Sequence, residues 1–152
     1  MTQPRVHASH EATLPHPAAA VWRYFHWPNL ALMQPGGFFA RIDYDEQRPV
    51  PGATRTILLG GGHGDGTPLR ELLESSDPKR MHLRYRIVDP APMPVERYRG
   101  EVQVRPIDDE NCTVNFSCEC IPKHMDAATW REAYKAMQQV SVEFIARALR
   151  SG

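Results

Sequence analysis

Arg55, Glu71, Tyr85, Glu96 and Tyr98 carry the chemistry this sequence offers, because an alternating strand pattern places all five with the apolar side chains rather than with the charged ones. Charges are almost never fully buried without a partner, so their recurrence on a covered face marks an interior that is partly polar. A carboxylate in such a place can act as a general base, and Glu71 or Glu96 fits that role. A phenol donates to a carbonyl oxygen as it gains negative charge, which suits Tyr85 or Tyr98, while the Arg55 guanidinium anchors an oxygen. The same residues allow a plainer arrangement, in which Arg55 and Glu71 pair to support the fold and the tyrosines only fill space.

Other chemistries find little footing. The run Gly60-Gly61-Gly62-His63-Gly64-Asp65-Gly66 lacks the Gly-Lys-Ser/Thr ending and the following helix of a phosphate cradle, so it reads as a hairpin tip. Seven histidines are scattered without the i, i+4 pair that would suggest a metal face on a helix. Cys118-Glu119-Cys120 is not spaced like a zinc pair, and an odd set of three cysteines reads as buried free thiols rather than a disulfide framework. No hydrolase triad can be read from residue order alone. The 18 basic and 18 acidic residues cancel, so no overall field recruits nucleic acid or an anionic surface. No apolar run approaches the roughly 20 residues that span a bilayer, and Met1 to His10 lacks an export signal, which predicts a cytoplasmic protein without integral membrane association.

Positioning those side chains takes a sheet and a helix. With 152 residues, 41% of them hydrophobic, the chain reads as one domain over residues 1–152. Period-2 runs predict strands at Val6–Leu14, Phe38–Asp45, Ala53–Leu59, Pro68–Ser75, His82–Val88, Val95–Arg105 and Cys112–Ile121, separated by short turn-forming clusters that suit an antiparallel meander. After the first strand, Pro17 opens a helix whose stripe Ala18, Val21, Trp22 and Phe25 runs until Trp27-Pro28, and a second short helix is predicted over Asn29–Met33. The inward set takes in Arg55 and Ile57; Leu69, Glu71 and Leu73; Leu83, Tyr85 and Ile87; Glu96, Tyr98, Gly100, Val102 and Val104; and Val114, Phe116, Cys118 and Cys120.

From Asp126 to Arg150 there is neither Gly nor Pro, and apolar residues recur at helical spacing through Trp130, Tyr134, Met137, Val140 and Ile145. Asp126 suits the N-cap. Such a helix is about 37 Å long and must lie along the sheet. A small molecule held between the two would touch Arg55, Ile57, Gly100, Val102 and Phe116 on the strands and Trp130, Tyr134 and Met137 on the helix, with Gly100 leaving room in mid-strand.

The order strand, two helices, meander, long helix resembles the helix-grip fold of the START and birch-pollen-allergen-like superfamily, SRPBCC. Within it, Ala18-Ala19-Ala20-Val21-Trp22, Pro51-Gly52-Ala53-Thr54-Arg55, Leu69-Arg70-Glu71-Leu72-Leu73, Leu83-Arg84-Tyr85-Arg86-Ile87 and Pro94-Val95-Glu96-Arg97-Tyr98 look like the polyketide cyclase/dehydrase branch. The resemblance implies an α+β fold, with a curved antiparallel sheet of seven strands around the long C-terminal helix and a deep cavity between them. It implies a hydrophobic or aromatic small-molecule partner and a cofactor-independent cyclase or dehydratase reaction, with a noncatalytic carrier or sensor of a lipid or other apolar ligand as the alternative. An interaction module with a filled interior is the third class, and homodimerisation is left open. In the resembling family the loop at residues 60–66 can act as a lid, which would bring His63 and Asp65 to the ligand; a solvated glycine turn is the plainer reading. Fold alone does not fix the chemistry.

Overall fold

Alternation in the sequence becomes a seven-stranded antiparallel sheet in the computed structural model, which describes residues 4–151 of the 152-residue chain. Residues 1–3 and 152, included in the one-domain reading, lie outside the described residues. In chain order the elements are β1 (Val6–Leu14), α1 (Ala18–Trp22), a 3-10 helix (Trp27–Gly36), β2 (Phe39–Tyr44), β3 (Thr54–Leu59), β4 (Leu69–Asp77), β5 (His82–Val88), β6 (Val95–Pro106), β7 (Cys112–Pro122) and α2 (Ala127–Ser151). The sheet order is β1-β7-β6-β5-β4-β3-β2. Strands β2 to β7 therefore pair with their chain neighbours through hairpins, and β1 closes onto β7 from Val6↔Cys120 to Leu14↔Cys112.

The connection from β1 to β2 differs from the sequence expectation. α1 stops at Trp22, and in place of a short α-helix over Asn29–Met33 a 3-10 helix spans Trp27–Gly36. Pro35 inside that stretch has no N–H to donate, which suits the looser ladder, and Gly37 at φ 83 ends it by donating its N–H to the Gln34 carbonyl. Trp27 and Met33 anchor the segment in the core.

α2 matches its expectation closely. The Asp126 carboxylate accepts the Thr129 N–H at 2.8 Å, and that bond holds the Asp126 carboxyl below its ordinary range. The helix packs mainly along β1, with lesser contact on β7 and the 3-10 helix. Two long-range bonds fix it there: Arg131 Nε donates to the His7 carbonyl at 2.9 Å, and His10 Nε2 meets Gln139 Oε1 at 2.8 Å. Because α2 leans toward β1, it stands further from β3, β4 and β5. That asymmetry leaves space over half the sheet.

Cys112, Cys118 and Cys120 are all buried free thiols. No helix among the described residues is long and apolar enough to cross a membrane.

Candidate functional site

Two adjoining chambers, of about 460 Å³ and about 110 Å³, occupy the space between α2 and the strands from β2 to β7. The outer chamber is walled by Phe38, Leu59, Ile87 and Met93, with Met137 and Val140 of α2 at its mouth. The inner one is walled by Phe25, Met33, Ile57, Leu83, Val102 and Phe116. Phe39, Glu71, Tyr85, Gln138 and Ser141 line both. An apolar space with a few convergent polar groups is the usual anatomy of a small-molecule site.

The polar groups arrive there through strand register. Arg55 of β3 lies directly opposite Glu71 of β4, so the two side chains stand on one face of the sheet. Arg55 Nε and Nη2 both donate to Glu71 Oε1 at 2.8 Å, and Nη1 donates to the Trp27 carbonyl at 2.8 Å. The guanidinium also stacks over the Trp27 ring, 4.0 Å from its centroid. Arg55 and Glu71 are 5% and 8% exposed, a depth at which an unpaired charge would not survive. Glu71 Oε2 bonds to no described residue.

Beside that carboxylate, Tyr85 of β5 faces Gly100 of β6 across the ladder. A Cβ at residue 100 would fall 2.5 Å from Tyr85 Cζ, so the glycine exists to seat this ring. The Tyr85 hydroxyl lies 3.5 Å from that of Tyr98. Burial, then the Glu71 charge, push the Tyr85 phenol well above its ordinary range, and burial does the same to Tyr98. Both therefore remain neutral O–H groups, suited to donate rather than to act as bases.

Glu96 must be corrected. The side chain expected inward is 43% exposed and reaches Lys123 Nζ at 3.8 Å. The cause is a β-bulge between Glu96 and Arg99, with Arg97 at φ 54, which shifts the alternation so that Val95 and Tyr98 are buried and Glu96 is not. Gly100 makes room for Tyr85, where the sequence reading had it make room for a ligand. Trp130 and Tyr134 are buried but line neither chamber; Trp130 packs edge-on beneath Tyr98, 6.5 Å between ring centroids. The structure brings Ile57, Val102 and Phe116 into the inner chamber and Met137 and His63 to the rim of the outer one, His63 against Phe38 at 5.9 Å. Arg55 reaches the inner chamber with three of its N–H donors already engaged by protein.

Gln138 and Ser141 were missed. They sit four and seven residues after buried Tyr134, on the stripe that continues to buried Ile145. Polar residues on the covered stripe of a helix are the signal that would have found them. Among the described residues, no cluster of three or more His, Cys, Asp or Glu is placed to hold a metal ion.

Gly100→Ala is expected to push the Tyr85 ring into the outer chamber while the fold survives. Affinity for an apolar probe should fall about tenfold, with only a small drop in melting temperature. Unchanged affinity, measured by probe titration beside a melting curve, would show that Tyr85 does not yield toward the cavity.

A family model described as polyketide cyclase / dehydrase and lipid transport matches residues 5–150. No curated protein matches the chain. Among solved structures, norcoclaurine synthase from Thalictrum flavum, in complex with dopamine and hydroxybenzaldehyde, superposes with a TM-score of 0.74 at 16% identity, covering 98% of this chain and 88% of that one. The protein XoxI from Bacillus cereus gives 0.75 at 18% identity, with 94% of each chain covered. A Thermobifida fusca protein solved by solution NMR gives 0.63 at 25% identity, over 81% of this chain and 78% of that one. What these structures share with this one is the helix-grip architecture.

Proposed function

The chain belongs to the polyketide cyclase / dehydrase and lipid transport family, and from that premise we propose that it binds an aromatic or polyketide-like small molecule in its two chambers and acts on it by acid–base chemistry. The observation that carries this reading is the meeting of Glu71 and Tyr85 where the chambers join. Glu71 Oε2 takes a proton from the carbon beside a carbonyl. The Tyr85 hydroxyl, backed by Tyr98, donates to the carbonyl oxygen as negative charge gathers there. The enolate so formed either closes a ring on a second carbonyl of the substrate, whose oxygen takes the proton back from Glu71, or expels a β-hydroxyl that leaves as water with that proton. The apolar walls hold the carbon skeleton, and Gln138 and Ser141 offer it hydrogen bonds. This reading requires no cofactor.

A second reading, a noncatalytic carrier of a lipid or other apolar ligand, is favoured by one observation: Arg55 holds Glu71 Oε1 through two nitrogens, as a structural partner would. Both readings share a ligand in the cavity. Both also suit a reducing cytoplasm, since all three cysteines are free and buried.

The shared premise is tested with an apolar fluorescent probe, expected to bind at about one site per chain with micromolar-class affinity. Ser141→Phe puts an aromatic ring at the junction of the chambers and should abolish that binding in a protein that still melts cooperatively. Probe binding that survives Ser141→Phe at full strength would place the ligand elsewhere.

A further inference from the structure

On the opposite side of the sheet from the cavity, the rungs between β5 and β6 run from His82↔Gln103 to Arg86↔Arg99 and go no further. The bulge between Glu96 and Arg99 ends them. Where the strands part, a cleft of about 290 Å³ is lined by four arginines, Arg5, Arg86, Arg97 and Arg99, and by a single carboxylate, Asp89.

The charges of this cleft are not balanced within it. Asp89 accepts the Arg97 backbone N–H, at 3.4 Å to Oδ1 and 3.3 Å to Oδ2, and so is turned to main chain. Arg99 Nε reaches Glu74 Oε1 at 3.6 Å, and Arg5 Nη1 reaches Glu119 Oε1 at 3.9 Å; both contacts are long and exposed. The guanidinium groups of Arg86 and Arg97 form no ion pair or hydrogen bond with any described residue. Two unfavourable arrangements coincide here. Arg86 and Arg99 stand directly opposite each other in the ladder, where like charges destabilise the pair. Arg97 holds a left-handed backbone at φ 54, a conformation that disfavours a side chain and persists only where the surroundings impose it.

An anion in the cleft would offset the like charges of the first, and the second places the Arg97 side chain at the cleft, where it could meet that anion. We propose that Arg86, Arg97 and Arg99, with Arg5 at the edge, form a binding site for a phosphate-type oxyanion, either a soluble phosphate ester or the phosphate of a lipid headgroup. Planar guanidinium groups give paired N–H donors to such an oxyanion, and more than one of them can share a doubly charged tetrahedral group, which a lone carboxylate would not satisfy. The site is independent of the cavity ligand. Ile87 and Tyr98 form the wall between the two, since both line the cleft and the outer chamber.

The test is calorimetric titration of the full chain with inorganic phosphate and with pyrophosphate in dilute chloride-free buffer, beside melting curves. Saturable binding at about one site per chain is expected, with pyrophosphate tighter. Arg86→Gln and Arg97→Gln should each weaken it about tenfold. Without phosphate both variants should melt no lower than the native chain, because Arg86→Gln removes the like charge opposite Arg99 and Arg97→Gln breaks no ion pair; with phosphate the native chain should gain more stability than either variant. Sedimentation with phosphatidylglycerol vesicles, against phosphatidylcholine, separates the sources: vesicle binding lost in both variants assigns a lipid headgroup, and phosphate binding without vesicle binding assigns a soluble ester. No saturable binding to any of the three probes, or binding equal in the native chain and the variants, overturns the proposal.

Discussion

Replacing Arg55 by alanine is expected to lower the unfolding free energy by about 3–5 kcal/mol, the usual cost of stranding one member of a buried ion pair. The loss has several parts. Glu71 would be left at 8% exposure without the guanidinium that pairs it. The Trp27 carbonyl would lose the Nη1 bond and keep only the Tyr44 hydroxyl, which donates to it at 2.6 Å. The cation–π contact over Trp27 would vanish with them. Arg55 joins β3, β4 and the first residue of the 3-10 helix in one cluster, so the variant should also loosen the segment Trp27–Gly36. Urea unfolding measures the first effect, and amide exchange of that segment measures the second. The double variant Arg55→Met, Glu71→Leu removes both charges and should recover most of the loss, since apolar replacements of buried pairs are often neutral or stabilising. A cost below about 1 kcal/mol, the level of an exposed pair, would contradict the burial seen here.

Tyr85→Phe is expected to leave the fold nearly intact, within about 1 kcal/mol, and to slow proton transfer in the cavity roughly 100-fold, the scale of losing one oxyanion donor. The assay needs no natural substrate. An aryl ketone that enters the chambers, dissolved in deuterium oxide, should exchange the hydrogens beside its carbonyl faster with the native protein than in buffer, read by proton NMR. In the proposed mechanism Glu71 would supply the base in that exchange, and Tyr85 would stabilise the enolate oxygen. Because burial and the Glu71 charge hold the Tyr85 phenol above its ordinary range, the donor stays protonated across neutral pH and its ionisation should leave no step in the rate profile there. A native protein that binds the ketone but exchanges it no faster than buffer would retire the catalytic reading and leave the carrier. Equal exchange in Tyr85→Phe would remove the hydroxyl from the mechanism and leave the cavity.

Seven strands and a capped C-terminal helix were legible in the sequence because both rest on local periods. Every second residue of a strand returns to one face, and every third or fourth residue of a helix returns to one stripe, whatever the rest of the chain does. The inward sets on β3, β4, β5 and β7 follow from that alone, as does the placement of Arg55, Glu71 and Tyr85 toward the cavity. Even Asp126 as the helix cap is a matter of three neighbouring residues.

What the period could not carry, the tertiary structure decided. Glu96 is outside because the ladder between β6 and its neighbour slips at the bulge, and a slip depends on which rungs the partner strand can form. Whether Glu71 is free or paired depended on register, which sets Arg55 opposite it; sequence left both arrangements open. Gly100 reads as an opening for a ligand in isolation, yet Tyr85 across the ladder fills that opening. Gln138 and Ser141 became cavity residues only because α2 leans onto β1 and stands away from the middle strands. Each of these is a contact between residues distant in the chain, where pairing energy rather than local preference chooses the outcome, and alternation by itself says which face a side chain takes but not what it meets there.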